Sequence, residues 1–223
     1  MDIKMEQSMK TIDTNKVIIC KQSLAEMKKV YETMLCRHFP ADEVKPFRYV
    51  EKWYQEGRYM GYGLYQMDES GNPGGTCLAY AWLCCMKAEK WALLDYYAVE
   101  ESLRGQGTGS WFLKQILENY TDGMPVIIEV ENPDELDEFD EAQKAQEKAK
   151  RLRRVAFYVR NGVRETKLSA TVFHVPYRIM VYLPKHMIRE NAADTEQLFG
   201  LENLKQAYYA FYTHIREHVT LGK

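Results

Sequence analysis

The sequence has no surplus of either charge. Its 30 Lys and Arg face 32 Asp and Glu, a formal net charge of −2, with a pI near 6.2. A protein that holds nucleic acid or an anionic membrane surface needs a basic excess to meet phosphate, so neither is expected as a partner. No apolar run reaches the length of a transmembrane helix. The N-terminal MDIKMEQSMKTIDTNK is polar throughout and does not resemble a signal peptide, which leads to the expectation of a cytoplasmic protein. The five cysteines show neither CxxC spacing nor histidines at metal-ligand spacing. Cys77, Cys84 and Cys85 lie in an apolar run and read as small core residues of a reducing compartment, not as a disulfide framework or a zinc site; no metal is expected. No internal repeat is present. What the chain does have is 46% apolar residues over 223 positions, enough for the core of one large domain, or of one domain with an extension.

The most informative stretch is Trp91 to Leu117, WALLDYYAVEESLRGQGTGSWFLKQIL. Trp91, Leu93, Leu94, Tyr96, Tyr97 and Val99 read as a strand buried on both faces. Leu113, Ile116, Leu117 and Tyr120 follow at helical spacing. Between them lies Arg104-Gly105-Gln106-Gly107-Thr108-Gly109-Ser110, with little side-chain bulk. Such a junction suits an anion: free N–H groups converge at the helix start, the dipole favours negative charge, and glycine admits close backbone approach. A Walker A loop needs Lys then Ser or Thr after its last Gly, but Gly109 is followed by Ser110 and Trp111. The dinucleotide fingerprint needs Gly at the first, third and sixth places, and Ser110 holds the sixth.

The remaining elements frame that stretch. Residues 1–16 read as a loose arm and 17–223 as a single domain. Lys16–Lys21 is a first strand. Ser23 and Glu26 form a capping box ahead of a helix whose Met27, Val30, Tyr31, Met34, Leu35 and His38 share a face. Pro40 stops it and Pro46 opens another, with Phe47, Val50 and Tyr54 inward. Strands follow at Tyr59–Met67, Thr76–Met86 and Trp91–Val99, the first two joined by a turn at Asp68–Gly75. Val126–Glu131 is a strand after the glycine-loop helix. The acidic run Asn132–Asp140 reads as a solvated helix start. A long helix then carries Ala142, Ala145, Ala149, Leu152, Ala156 and Val159 as a small-residue seam for packing on a sheet, ending at Asn161-Gly162. Arg164–Phe173 and Tyr177–Leu183 are closing strands joined by His174-Val175-Pro176. A capping box at Asp194–Gln197 opens a C-terminal helix over 194–219 with Leu201, Leu204, Tyr208, Phe211 and Ile215 inward. The expected class is α+β: a mixed, mostly antiparallel central sheet flanked by helices, with the strands on either side of the glycine-loop helix parallel.

Arg104, Gly107 and Gly109 at a strand-to-helix junction, behind Tyr97-Ala98-Val99, resemble motif A of the GNAT superfamily of acyl-CoA-dependent N-acetyltransferases. Phe157-Tyr158-Val159-Arg160-Asn161-Gly162 resembles the segment that closes a later GNAT helix. The resemblance spans about Val17 to Leu183. It implies a GNAT-like fold with an extra C-terminal helix, and two splayed parallel strands that hold the pantetheine arm. It also implies acetyl-CoA as the cofactor, bound at Tyr97, Ala98, Val99 and Arg104 through Ser110. The implied activity is transfer of acetyl to a primary amine, small-molecule or peptide, directly within a ternary complex. Tyr158 would give a proton to the departing thiolate. Asp95 or Glu129, with Glu131 a further possibility, would take the proton from the amine. Asp95, placed by strand alternation on the face of Val99, serves equally as a structural carboxylate bonded to a neighbouring tyrosine. A backbone N–H near Val99, where the family strand bulges, would polarise the carbonyl. His174 and Tyr177 would contact the acceptor. The chain departs from the family at Arg151, where an Asn often binds the pantetheine arm; Arg151, Arg153 and Arg154 would reach the cofactor phosphates or lie in solvent. A monomer or a homodimer is expected. The alternative function is a non-catalytic acyl-CoA-binding sensor.

Overall fold

A computed structural model describes residues 13–41, 43–137, 139–188, 199–213 and 218–222. The expected capping box at Asp194–Gln197 and the inward Ile215 lie outside them, as do the first twelve residues of the arm. The chain orders as β1 (Val17–Gln22), α1 (Leu24–Val30), α2 (Phe47–Gln55), β2 (Tyr59–Met67), β3 (Pro73–Met86), β4 (Trp91–Val99), α3 (Thr108–Asn119), β5 (Val126–Glu131), α4 (Glu141–Arg160), β6 (Val163–Val172), β7 (Val175–Tyr182), α5 (Leu201–Phe211) and β8 (Val219–Gly222). The strands form one sheet in the order β1-β2-β3-β4-β5-β7-β6-β8. Every neighbouring pair is antiparallel except β4–β5.

Helix starts follow the local chemistry. The Ser23–Glu26 capping box is formed in both directions, and a second joins Asp140 to Gln143 at the head of α4. After Val30 the first helix continues through a π turn, Tyr31–Leu35, and a last turn, Cys36–His38. The sheet then separates two cores. On one face Met27, Leu35, Trp53, Tyr59, Trp82 and Tyr96 pack beneath α1, α2 and α5. On the other, Leu64, Leu83, Phe112, Leu113 and Ile116 pack beneath α3 and α4. Trp82 is fully buried at the centre of the first. Among the described residues no helix is long and apolar enough to cross a membrane. No group of three or more His, Cys, Asp or Glu there could hold a metal ion.

Four expectations are overturned. In α2 the inward residues are Val50 and Trp53, with Phe47 and Tyr54 only partly covered. In α4 the alanine seam faces solvent: Leu152 is 44% and Val159 46% exposed, and the buried residues are Arg151 and Val155. Those alanines serve helix propensity, while the inward stripe runs 151, 155 and 158. The β6–β7 turn is the pair Phe173-His174, both at positive φ, between the partners Val172 and Val175. These dihedrals are those of a two-residue hairpin of the primed kind. Finally, the C-terminal helix ends at Phe211, and an eighth strand, β8, follows and pairs with β6. Four residues are too few to stand out as a strand in a sequence.

Candidate active site

β4 and β5 pair only at Ala92–Val126, Leu93–Ile127 and Leu94–Ile128. Beyond those rungs the two strands have no pairing with each other, and each presents a bare backbone edge to the gap. The divergence starts at a bulge. Trp82 of β3 faces Tyr96, and the next residue, Leu83, faces Leu94, so Asp95 is the extra residue. The bulge therefore lies at Asp95, four residues before the expected place at Val99. Its consequence is a change of phase. Leu93 and Tyr96 belong to the α1–α2–α5 face, whereas Leu94 and Val99 belong to the α3–α4 face. Asp95 points with Tyr96, on the opposite side of the sheet from Val99, which corrects the strand-alternation placement.

On the α3–α4 face the glycine loop runs into α3. Gly105 and Gly107 take φ of 76° and 81°, a region that costs an L side chain about 1–2 kcal/mol. Gly107 is the N-cap and offers no side chain to the helix end. The first helical bond runs from the Trp111 amide to the Gly107 carbonyl at 3.0 Å. The amides of Thr108, Gly109 and Ser110 thus lack an intrahelical acceptor. Thr108 is fully buried and its Oγ1 has no hydrogen-bond partner. Three contacts fix this loop. Tyr97 donates its hydroxyl to the Gly109 carbonyl at 2.5 Å. Arg104 Nε donates to the Val99 carbonyl at 3.3 Å. Asn161, the C-cap of α4, donates Nδ2 to Ser110 Oγ at 3.2 Å. Gln106 donates to the Ser102 carbonyl, and Ala98 pairs with Tyr80 across the sheet. Asn161 is a site residue that sequence reasoning used only as a helix stop.

Tyr158 stands at the end of α4, packed edge-on against Phe157, whose ring in turn stacks with Tyr97. Burial raises its pKa to about 12, against an opposing pull from Arg154. Its hydroxyl has no hydrogen-bond partner among the described residues. Arg151 does not reach toward the loop or into solvent. It is 2% exposed and donates to the carbonyls of Asn132 and Glu135 at 2.9 and 2.7 Å. Arg151 and Arg154 both pair with Glu131, which removes that carboxylate from the gap.

On the other face lies a cavity of about 410 Å³, lined by Glu43 to Pro46, Arg48 and Tyr49 of the α1–α2 connection and α2, by Glu129 of β5, by Tyr177 and its neighbours in the β6–β7 hairpin, and by Tyr212. Glu129 Oε1 accepts hydroxyl hydrogen bonds from Tyr208 and, at 2.7 Å, from Tyr212. No cation lies within ion-pair distance of Glu129 among the described residues. Burial raises its pKa above the ordinary carboxylate value, outweighing the attraction of Lys45 and the two tyrosine hydrogen bonds. Asp95, behind the wall, is 1% exposed at its side chain and pairs through Oδ1 with Lys45 Nζ at 2.5 Å. Its Oδ2 accepts from the Tyr59 hydroxyl. Burial works against the Lys45 ammonium, but Asp95 outweighs it and holds the pKa above its usual value.

The structure thus brings Glu129 and Tyr177 into one cavity and sets Tyr97, Tyr158 and the glycine loop together on the opposite face of the sheet. It leaves His174 outside: that side chain sits exposed at the hairpin tip, and Phe173 lines the cavity instead. Lys45, Arg48 and Tyr212 also line it and carry no local signal in the sequence.

No family model and no curated protein matches the sequence significantly. Solved structures do match in fold. A protein assigned as a GNAT-family acetyltransferase from Bacteroides thetaiotaomicron covers 89% of this chain and 98% of its own, at 15% identity and a TM-score of 0.60. The ribosomal-protein-S18-alanine N-acetyltransferase of Escherichia coli covers 80% and 99%, at 18% identity and a TM-score of 0.52. The spermidine N-acetyltransferase of Vibrio cholerae, in complex with CoA and spermine, covers 76% and 96%, at 9% identity and a TM-score of 0.51. At such identities the likeness is one of architecture: the chain has the GNAT fold.

Proposed function

We propose that this chain is an N-acetyltransferase that moves an acetyl group from acetyl-CoA to a primary amine by direct transfer in a ternary complex. One observation carries the reading. An uncapped helix start and a free Tyr158 hydroxyl lie on the face of the sheet beneath α3 and α4, and a half-buried Glu129 that has no ion pair among the described residues lies on the other, beside the gap between β4 and β5. Two ligands entering from opposite faces meet there.

The residues on the α3–α4 face fit an acyl-CoA. The amides of Thr108, Gly109 and Ser110 bind phosphate oxygens along the α3 dipole, and the orphaned Thr108 hydroxyl at the same helix start is a polar atom such a ligand can satisfy. Arg104 adds a positive charge beside them. The bare edge of β4 through Tyr97, Ala98 and Val99 offers backbone hydrogen bonds to an extended amide-bearing arm. Acetyl-CoA, when bound, supplies an acetyl carbonyl on a thiolate leaving group. Amides of the open β4 edge polarise that carbonyl without a side chain. Tyr158 holds the proton that the departing sulfur takes. A tyrosine hydroxyl is protonated at neutral pH, as an acid requires, and burial leaves this one so.

Glu129 is the general base in this reading. It lines the cavity, and its raised pKa moves it toward the range in which a carboxylate can accept an ammonium proton. Asp95 takes the structural part: bonded to Tyr59 and Lys45, it fixes the α1–α2 connection against β4. Calorimetric titration with acetyl-CoA, ATP and NAD tests the cofactor class, and free-thiol release with an amine panel tests turnover. Binding of acetyl-CoA alone with turnover supports the enzyme. Binding with no turnover on any amine makes the chain an acyl-CoA sensor. No binding of acetyl-CoA sinks both.

A further inference from the structure

The acceptor cavity carries a charge pattern of its own. Of its lining groups, Lys45 is already paired with Asp95. Glu43 also lines the cavity, and the two charged groups that matter here, Glu129 within the cavity and Arg48 at its exposed rim, have no ion pair among the described residues. Glu129 Oε1 takes both tyrosine hydroxyls, and Oε2 receives no hydrogen bond. The Arg48 guanidinium lies over the Tyr49 ring, 4.9 Å from its centroid. That stacking orients a planar fork while leaving its N–H edge free to meet a carboxylate in bidentate fashion. Between the two charges the wall is apolar and aromatic, from Val172, Phe173, Val175 and Tyr177.

We propose that the acceptor is an amino carboxylate with an apolar body: its amine meets Glu129, its body lies on the aromatic wall, and its carboxylate is read by Arg48. This deepens the transferase reading and rests on it. The four charged side chains of the lining are two cations, Lys45 and Arg48, and two anions, Glu43 and Glu129, so a polyamine meets no net negative charge there, whereas an amino carboxylate matches both signs. In the reaction the C–N bond forms at the acceptor amine and the C–S bond of the thioester breaks. One ammonium proton passes to Glu129 and on to solvent. The thiolate takes the Tyr158 proton, and the second amine proton restores the tyrosine.

The test uses the full chain with acetyl-CoA and reads kcat/KM by thiol release. The acceptors are phenylalanine, phenylalanyl-leucine and 6-aminohexanoate, each beside its carboxamide, with spermidine as the polycation. The expected result is a preference of about tenfold or more for at least one acid over its amide, as befits a hydrogen-bonded charge contact at a rim. That preference should collapse toward one in Arg48→Ala. Arg48 is exposed and unpaired, so this variant should keep its fold, checked by its thermal midpoint. Which acid wins separates a free amino acid from a short peptide or a longer spacer. Equal rates for acids and amides, a preference unchanged in Arg48→Ala, or spermidine as the best acceptor would each overturn the proposal. Turnover confined to amides or spermidine leaves the transferase intact and removes only this assignment. Absence of acetyl-CoA binding removes the transferase reading, and calorimetry of the same acids against the protein alone then still decides whether Arg48 reads a carboxylate.

Discussion

Tyr158 and Glu129 sit on opposite faces of the sheet, and burial pushes both pKa values up. Tyr158 is protonated at neutral pH with or without its shift, as the proposed acid role requires. In Glu129 the rise makes the carboxylate a stronger base, which suits the proton-accepting role proposed for it. Tyr158→Phe should lower kcat by about a hundredfold, the usual scale for a lost general acid. The KM for acetyl-CoA should change little, since no binding contact depends on that hydroxyl. Steady-state kinetics with an unchanged kcat would remove the acid role. Glu129→Gln keeps the shape and loses the base. In the parent enzyme kcat/KM should rise with pH through an apparent pKa above the ordinary carboxylate range. In the variant the rate should fall by about a hundredfold and that limb of the profile should vanish. Persistence of the limb would assign it to another group.

Elements were legible in the sequence where their signal is local. The strand, glycine loop and helix from Trp91 to Asn119 are read from consecutive residues, because φ near 80° at Gly107 and an uncapped helix start are properties of that segment alone. Gly107→Val puts a β-branched residue in the left-handed region, at a cost of about 1–2 kcal/mol, and crowds the amides of α3. Loss of acetyl-CoA binding by calorimetry, with only a modest fall in thermal midpoint, is the expected outcome; intact binding would sink the loop as the phosphate site. The Ser23 capping box was legible for the same reason. The bulge at Asp95 was not, since one extra residue is fixed by how β3 pairs, not by β4 itself. Strand alternation then carried Asp95 to the wrong face. The true face explains its partners, Lys45 and Tyr59, and makes a further prediction. Asp95→Asn alone leaves the partly exposed Lys45 ammonium without its anion and should cost about 1–3 kcal/mol. Asp95→Asn with Lys45→Met should recover most of that in urea denaturation; an equally unstable double variant would show that the pair is not the source.

At the scale of the whole molecule the proposed acceptor cavity is assembled from segments far apart in sequence, which is why no motif announced it. Lys45 and Arg48 come from near the start, Glu129 from the middle, Tyr177 from the last hairpin, and Tyr212 from the residue that caps the C-terminal helix. That helix buries Leu204, Ala207, Tyr208 and Phe211 against the sheet while delivering two hydroxyls to Glu129. Folding and the Glu129 carboxylate are thereby coupled, and the coupling has a sign. The folded pKa of Glu129 lies above its unfolded value near 4.5, so the unfolded state holds fewer protons between the two values. Stability from this group is complete below the unfolded value and is lost as pH rises through the folded one. Glu129→Gln carries no such titration. The variant should therefore gain relative to the parent in urea midpoint as pH is raised from about 4 to about 8. Tyr208→Phe removes a hydrogen bond that favours the ionised form, so it should move the folded pKa and the acid limb of kcat/KM upward together. A Glu129→Gln difference that stays constant across that range would mean that Glu129 titrates alike in both states. The buried carboxylate would then be structural, and the base would have to be sought elsewhere in the gap.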